Sequence, residues 1–286
     1  MIEIDKNRCI KCGLCAKDCL TDSIGFDEEG YPLMEHEDRC LKCQHCLMVC
    51  PKGALTFNDK NPEDSEPASF NDLLSTIKSR RSIRQYKTED VSEETIKQLE
   101  EMLHYVPTGC NSHALHFSIV TKRETMDIIR EKVNKKILKA MSSKILSPLV
   151  KKFEYYKEAM EKGEDIVFRN APHMIVASSP ITAPCATIDP IIALSYFELY
   201  AQSLGLGTCW CGYAEVCMKL FPELSEILDI PAGYTPQYVM LFGYPAVKYE
   251  RTPQPEKYEI SEIDKINKRN SCFWCKFKRF VTNIIR

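Results

Sequence analysis

The sequence predicts a two-part protein of mixed helix-and-strand content, and three observations carry that expectation. Eight of the fifteen cysteines fall before residue 51 in two regularly spaced groups. A polar, proline-broken stretch follows at 58–69. About 215 residues remain beyond it, enough for a core of their own, with helical and strand periodicities in alternation.

The first part begins with Ile2–Ile4, a short strand candidate with a second at Ala54–Phe57. Between them lie Cys9, Cys12, Cys15 and Cys19, then Cys40, Cys43, Cys46 and Cys50, the last followed by Pro51. Each group reads C-x2-C-x2-C-x3-C. Thiolates at this spacing suit an iron–sulfur cluster: three wrap one cluster and the fourth is carried to the other. One cluster takes Cys9, Cys12, Cys15 and Cys50. The second takes Cys40, Cys43, Cys46 and Cys19. Two 4Fe–4S clusters then replace much of the core that so short a segment lacks. Zinc knuckles favour pairs of C-x2-C instead, and disulfides need an oxidising compartment. His45, beside Cys46, reads as a solvated side chain or a neighbour of the cluster, not a ligand.

Residues 58–69 read as a linker, with Pro62 and Pro67 breaking the run. The expected division is 1–60 for the cluster domain, 61–72 for the linker and 73–286 for the larger domain with its C-terminal extension. In that larger domain, Phe70–Ser79 and Glu93–Tyr105 read as helices, the second with Ile96, Leu99, Met102 and Leu103 on one side. Phe117–Thr121, Met174–Ser178 and Tyr238–Gly243 read as strands. The block 122–169 is helical and basic, either an excursion covering a site or a solvated hairpin. Residues 187–204 form an apolar helix, with Leu194, Phe197, Ala201 and Leu204 on one face.

Net charge is −2, so composition gives no case for a nucleic-acid partner. No apolar run suits a membrane span, and the N-terminus has no basic-then-apolar leader. A cytoplasmic location is the expectation.

Chemistry concentrates in four places. The run from Lys78 to Lys87 holds five basic residues and no acid. It is either a solvated patch or an anion site built from guanidinium groups and Ser82. Pro107-Thr108-Gly109-Cys110-Asn111 is a polar turn whose Asn111 offers both a donor and an acceptor. Gly205-Leu206-Gly207-Thr208-Cys209-Trp210 follows the apolar helix directly and lacks a full dinucleotide fingerprint. Gly243-Tyr244-Pro245-Ala246 leads to Lys248 and Arg251, candidates to close a phosphate site.

In this order the four resemble the nitroreductase-like flavoprotein family, over about residues 73–255. The first 60 residues resemble the bacterial two-cluster ferredoxins, with Leu20 where that family usually has proline. The resemblance implies an α+β fold and an intertwined homodimer with one FMN per subunit at the interface. It implies FMN contacts from Arg80, Arg81, Ser82, Arg84, Pro107, Thr108, Asn111, Leu206, Gly207, Thr208, Lys248 and Arg251. Arg80 would meet the phosphate, and Arg84 would lie near the pyrimidine edge, where a cation stabilises reduced flavin. Asn111 would reach the ring edge, from the partner subunit in one arrangement, and Arg251 would be the late phosphate ligand. His113-Ala114-Leu115 departs from the family's Gln-Pro-Trp, and His113 reads as packed or hydrogen-bonded before it reads as a proton donor.

Fusion of the two parts points to clusters loading a flavin that reduces a small acceptor such as a nitroaromatic or a quinone. The donor is NAD(P)H or an electron-carrier protein. A relay between protein partners is the competing class. Cys110, Cys185, Cys209, Cys211 and Cys217 read as incidental thiols. Cys272 and Cys275 form a C-x2-C in a basic, aromatic tail.

Overall fold

The computed structural model describes residues 2–57 and 72–263. The linker expectation at 61–72 and the Cys272/Cys275 pair fall outside the described residues, apart from Asp72.

β1 (Ile2–Ile4) pairs antiparallel with β4 (Leu55–Phe57), in the register Ile2 to Phe57. Between them run α1 (Leu14–Lys17), the hairpin β2 (Ile24–Phe26) and β3 (Pro32–Met34), and α2 (His45–Val49). That hairpin has no strong alternation in sequence and was not expected. Its turn rests on Asp27, whose carboxylate accepts from the Glu29 and Tyr31 amides. Leu47, Ala54 and Leu55 pack with Cys15 and Cys50, so ligands and apolar core are one cluster.

The larger part starts at α3 (Leu73–Ser79), capped by Asp72, whose carboxylate accepts from the Ser75 amide. α4 (Glu93–Leu103) is capped in the same way by Ser92 and buries Ile96, Leu99 and Leu103, as its periodicity predicts. Then follow β5 (His116–Val120), α5 (Arg123–Met141), a 3₁₀ stretch (Ser147–Tyr156), α6 (Lys157–Glu161) and β6 (His173–Pro180). α7 (Asp189–Ser203), β7 (Gly207–Trp210), α8 (Gly212–Leu220), α9 (Glu223–Ile227) and β8 (Tyr234–Gly243) complete it.

The sheet order is β5-β6-β8-β7, antiparallel throughout. Alternation along β6 and β8 assigns side chains to two cores. Met174, Val176, Val239 and Leu241 join Met126, Ile129, Val133, Phe153 and Ala214 on one face. Ile175, Ala177, Met240 and Phe242 join Leu99, Leu194, Phe197 and Ala201 on the other. Helices cover both faces, which is why β6 is buried along nearly its whole length. Each fully buried phenylalanine here contributes about 1.5–3 kcal/mol.

The glycine-rich turn after α7 is partly a strand. Gly205 takes φ +78° and stops the helix, and β7 begins two residues later. The helical block over 122–169 is α5, the 3₁₀ stretch and α6, packed on the core through Ile137, Val150, Phe153 and Met160.

The compact unit runs from Met1 to Gln254, and Pro255–Arg286 form a second unit. The cysteine-bearing part therefore shares one unit with the sheet domain, and the division falls at 254/255. Contacts described below are the reason. Within the second unit, residues 255–263 carry no helix or strand.

Candidate cofactor site

The basic run leaves α3 as extended backbone. Ser82 bridges Thr208 of β7 in parallel, and the Ile83 amide donates to the Thr208 carbonyl at 2.8 Å. The two segments touch so closely that a Cβ on Gly207 would stand 2.4 Å from Ile83 Cγ1. Gly207 is thus required by its own protein neighbour, a reason the sequence reading did not find.

The run's side chains go to different places. Arg80 Nη1 donates to Glu198 Oε1 at 3.2 Å. Glu198 is buried on α7 and also accepts from Thr208 Oγ1 at 3.3 Å and Trp210 Nε1 at 3.1 Å. Arg81 and Ile83 line a cavity of about 510 Å³ with Leu206, Gly207 and Lys248. Arg84 lines another of about 490 Å³ with Cys19, Tyr155, Tyr156 and Arg169. Arg251 lines neither; its Nη1 donates to the Cys50 carbonyl at 2.7 Å. Arg251, expected from the sequence as the late phosphate ligand, thus makes a backbone contact with the cysteine-bearing part. Lys248 pairs with Glu250 at 3.0 Å.

Asn111 stands on an exposed turn. The Gly109 amide donates to the Asp189 carboxylate at 3.0 Å, and Thr108 Oγ1 accepts from the His113 amide at 3.0 Å. Cys110, Asn111 and His113 all take positive φ. His113 is exposed, not packed, at the edge of a cavity that Thr108, Leu115 and Phe117 also line. Pro107 is exposed beside it.

Cys9, Cys12, Cys15 and Cys50, the first expected ligand set, line one small cavity, while Cys46 has Cys43, Cys15 and Cys19 among its electrostatic neighbours, drawn from both sets. Burial pushes the Cys15 thiol up to about 11 and the Cys46 thiol up to about 12. Thiolates at these buried positions therefore need positive metal beside them. Among the described residues, no three His, Cys, Asp or Glu side chains converge as they would around a single ion.

His45 is buried, contrary to the solvated reading, because Tyr249 stacks edge-on against it with ring centroids 5.5 Å apart. Burial lowers its pKa to about 4, and Arg81 and Arg84 add to that, so it is neutral at pH 7. Its Nε2 faces Arg84 Nη1 at 3.5 Å. With Nε2 accepting, Nδ1 carries the hydrogen; it is buried without a well-formed hydrogen bond, although the Ser82 and Cys43 backbone lies near the ring. A sulfur-rich group beside Cys46 would receive it, so the residues present fit a cluster.

Four residues of this site escaped the sequence reading: Glu198, Asp18, Gln85 and Tyr249. Asp18 is buried, accepting from Gln85 Nε2 at 2.7 Å and Tyr249 Oη at 2.9 Å. Burial raises its pKa, against those two hydrogen bonds. Only Glu198 left a signal, as the one acid of α7 beyond its first residue, Asp189.

A cysteine array seated on a two-faced antiparallel sheet domain, next to a basic segment, defines a two-part redox protein. The nitroreductase family model matches residues 77–244, more than half of the chain, and the 4Fe-4S dicluster domain model matches residues 8–65. The chain belongs to the nitroreductase family, with an N-terminal 4Fe–4S dicluster-type domain.

It is 23% identical over 193 residues to the FMN reductase (NAD(P)H) of Bacillus subtilis, covering 65% of this chain and 70% of that protein. A nitroreductase with bound FMN from Desulfitobacterium hafniense superposes with a TM-score of 0.55 at 27% identity, covering 68% of this chain and 99% of that one. A nitroreductase with bound FMN from Bacteroides fragilis gives 0.55 at 22% identity, covering 67% and 100%, a likeness of fold. No helix among the described residues is long and apolar enough to cross a membrane.

Proposed function

We propose that this protein is an FMN-dependent oxidoreductase that draws electrons through two 4Fe–4S clusters and delivers them to a small electrophilic acceptor, such as a nitroaromatic or a quinone. The observation that carries this reading is the union of both cofactor motif sets in one compact unit, through Asp18, Gln85 and Tyr249. When bound, the clusters supply one-electron steps and FMN joins two of them, the acceptor taking up two electrons and two protons.

The chain's own residues then have definite tasks. Arg80, oriented by Glu198, and Ser82 hold the phosphate end. Arg84 places a cation at the ring. Arg81 and Lys248 add positive charge to the cavity that Leu206 and Gly207 line. Pro107, Thr108 and Asn111, on their exposed turn, serve the site of a second subunit. Leu73, Leu74 and Ile77 on α3 and Ile188 and Tyr196 around α7 are exposed apolar side chains, which supports the homodimer. A carrier protein uses the cysteine-bearing part as donor site; NAD(P)H would bypass it.

Anaerobic stopped-flow reduction of protein analysed for iron and flavin tests the proposal. The expected content is about eight irons and one FMN per chain. Cluster and flavin absorbance should change in sequence when a one-electron carrier is mixed in. Turnover of the acceptor with the clusters unchanged throughout overturns the relay. A flavin that reacts only with proteins, and with no small acceptor, makes it a carrier instead of an enzyme.

A further inference from the structure

The joint between the two parts is one-sided. Arg81 Nη2 donates to the Cys43 carbonyl at 3.0 Å. Arg84 meets His45, which adjoins Cys46. Gln85 holds Asp18, which adjoins Cys19. Cys43, Cys46 and Cys19 belong to the second cluster's ligand set. The described bonds of the first loop stay within its own part, as where Lys11 Nζ donates to the Glu29 carbonyl; exposure does not separate the loops, since Ile10 and Cys12 on the first and Leu41 and Cys43 on the second are all exposed. Arg251 does reach the Cys50 carbonyl, but the Cys50 thiol turns back, accepting from the Ala54 amide and lying among the neighbours of Cys15.

We infer that the cluster held by Cys40, Cys43, Cys46 and Cys19 is the one seated against the flavin-binding segment of its own chain, with Arg81 and Arg84 as the positioning residues. The inference rests on the proposed cofactor content. Two guanidinium groups and their hydrogen bonds lie on the second loop, and cations beside a cluster favour its more negative, reduced form. The cluster of Cys9, Cys12, Cys15 and Cys50 is left as the outer one, because its Cys9–Cys15 loop has no described bond to the basic segment.

The test is an anaerobic potentiometric titration of the holoprotein, followed by low-temperature electron paramagnetic resonance. Cys43→Ser marks the second cluster's signal by its altered ligand; where that variant fails to assemble, Cys12→Ser marks the first. Arg81→Gln should shift only the second signal to lower potential. The expected change is about tenfold in its oxidised-to-reduced ratio, equivalent to about 59 mV for one electron. Arg81→Lys should restore most of it, and Arg84→Gln serves where Arg81→Gln does not fold. A shift of the first cluster, an equal shift of both, or no shift overturns the inference. Absence of iron from the wild-type protein would instead remove the functional reading beneath it.

Discussion

Tyr249 Oη donates to Asp18 Oδ2 at 2.9 Å, a bond between two buried side chains 231 residues apart. It fastens the segment that follows β8 to the segment that carries Cys19. Gln85 takes the other Asp18 oxygen. The two parts of the chain are thus joined by polar contacts whose loss leaves a buried carboxylate short of a donor.

Tyr249→Phe should destabilise the protein by about 1–3 kcal/mol, the cost of one unsatisfied buried partner. Anaerobic urea denaturation measures it. An unchanged midpoint would mean that the carboxylate finds water. Cluster loss should begin at lower urea in the variant than in the wild type.

Glu198→Gln keeps the shape of the α7 side chain but removes the charge that orients Arg80. Retained flavin should bind roughly 10- to 100-fold more weakly, matching about 1–3 kcal/mol for a partly exposed ion pair and its hydrogen bonds. Flavin fluorescence titration reads the affinity. Trp210 emission should change as well, since Nε1 donates to the same carboxylate.

Gly207→Ala pushes a methyl group into Ile83 and should cost about 1–3 kcal/mol. Thermal unfolding of Gly207→Ala alone and combined with Ile83→Val decides the cause. The double variant should recover part of the loss. No recovery would place the constraint in the backbone and not in the contact.

His173 gives a pH dependence. It is fully buried, its Nε2 accepts from the Val91 amide at 2.9 Å, and burial lowers its pKa. In the unfolded chain it titrates near about 6.5. Below that pH the unfolded state binds the extra proton, so this contribution is full above about 6.5 and is lost as pH falls toward the folded value. Urea midpoints at neutral and mildly acidic pH should therefore differ more in wild type than in His173→Gln.

Ile77→Asp and Leu74→Asp place charges on the exposed face of α3. Sedimentation should show a shift from dimer to monomer, with loss of flavin. A dimer that persists in both variants would move the interface elsewhere.

The cysteine spacing, the β1–β4 closure, the helices α4 and α7 and the strand β6 were legible in the sequence because each rests on local period or local ligand geometry. Strand β7 was missed because its glycines look like a turn, and only its pairing with β8 makes it a ladder. Asp18, Gln85 and Tyr249 carry no local pattern; each is an ordinary polar residue until the chain closes.

The sequence by itself determined that this chain holds eight thiols in two regularly spaced groups, followed by the ordered motifs of the nitroreductase family. Only the tertiary structure decided which thiols meet the basic segment, that Arg251 serves Cys50, and that His45 is buried and neutral. The reason is physical. Metal-binding spacing is set along a few consecutive residues, whereas a docking surface is set by the packing of segments remote in the chain, and no single stretch records it.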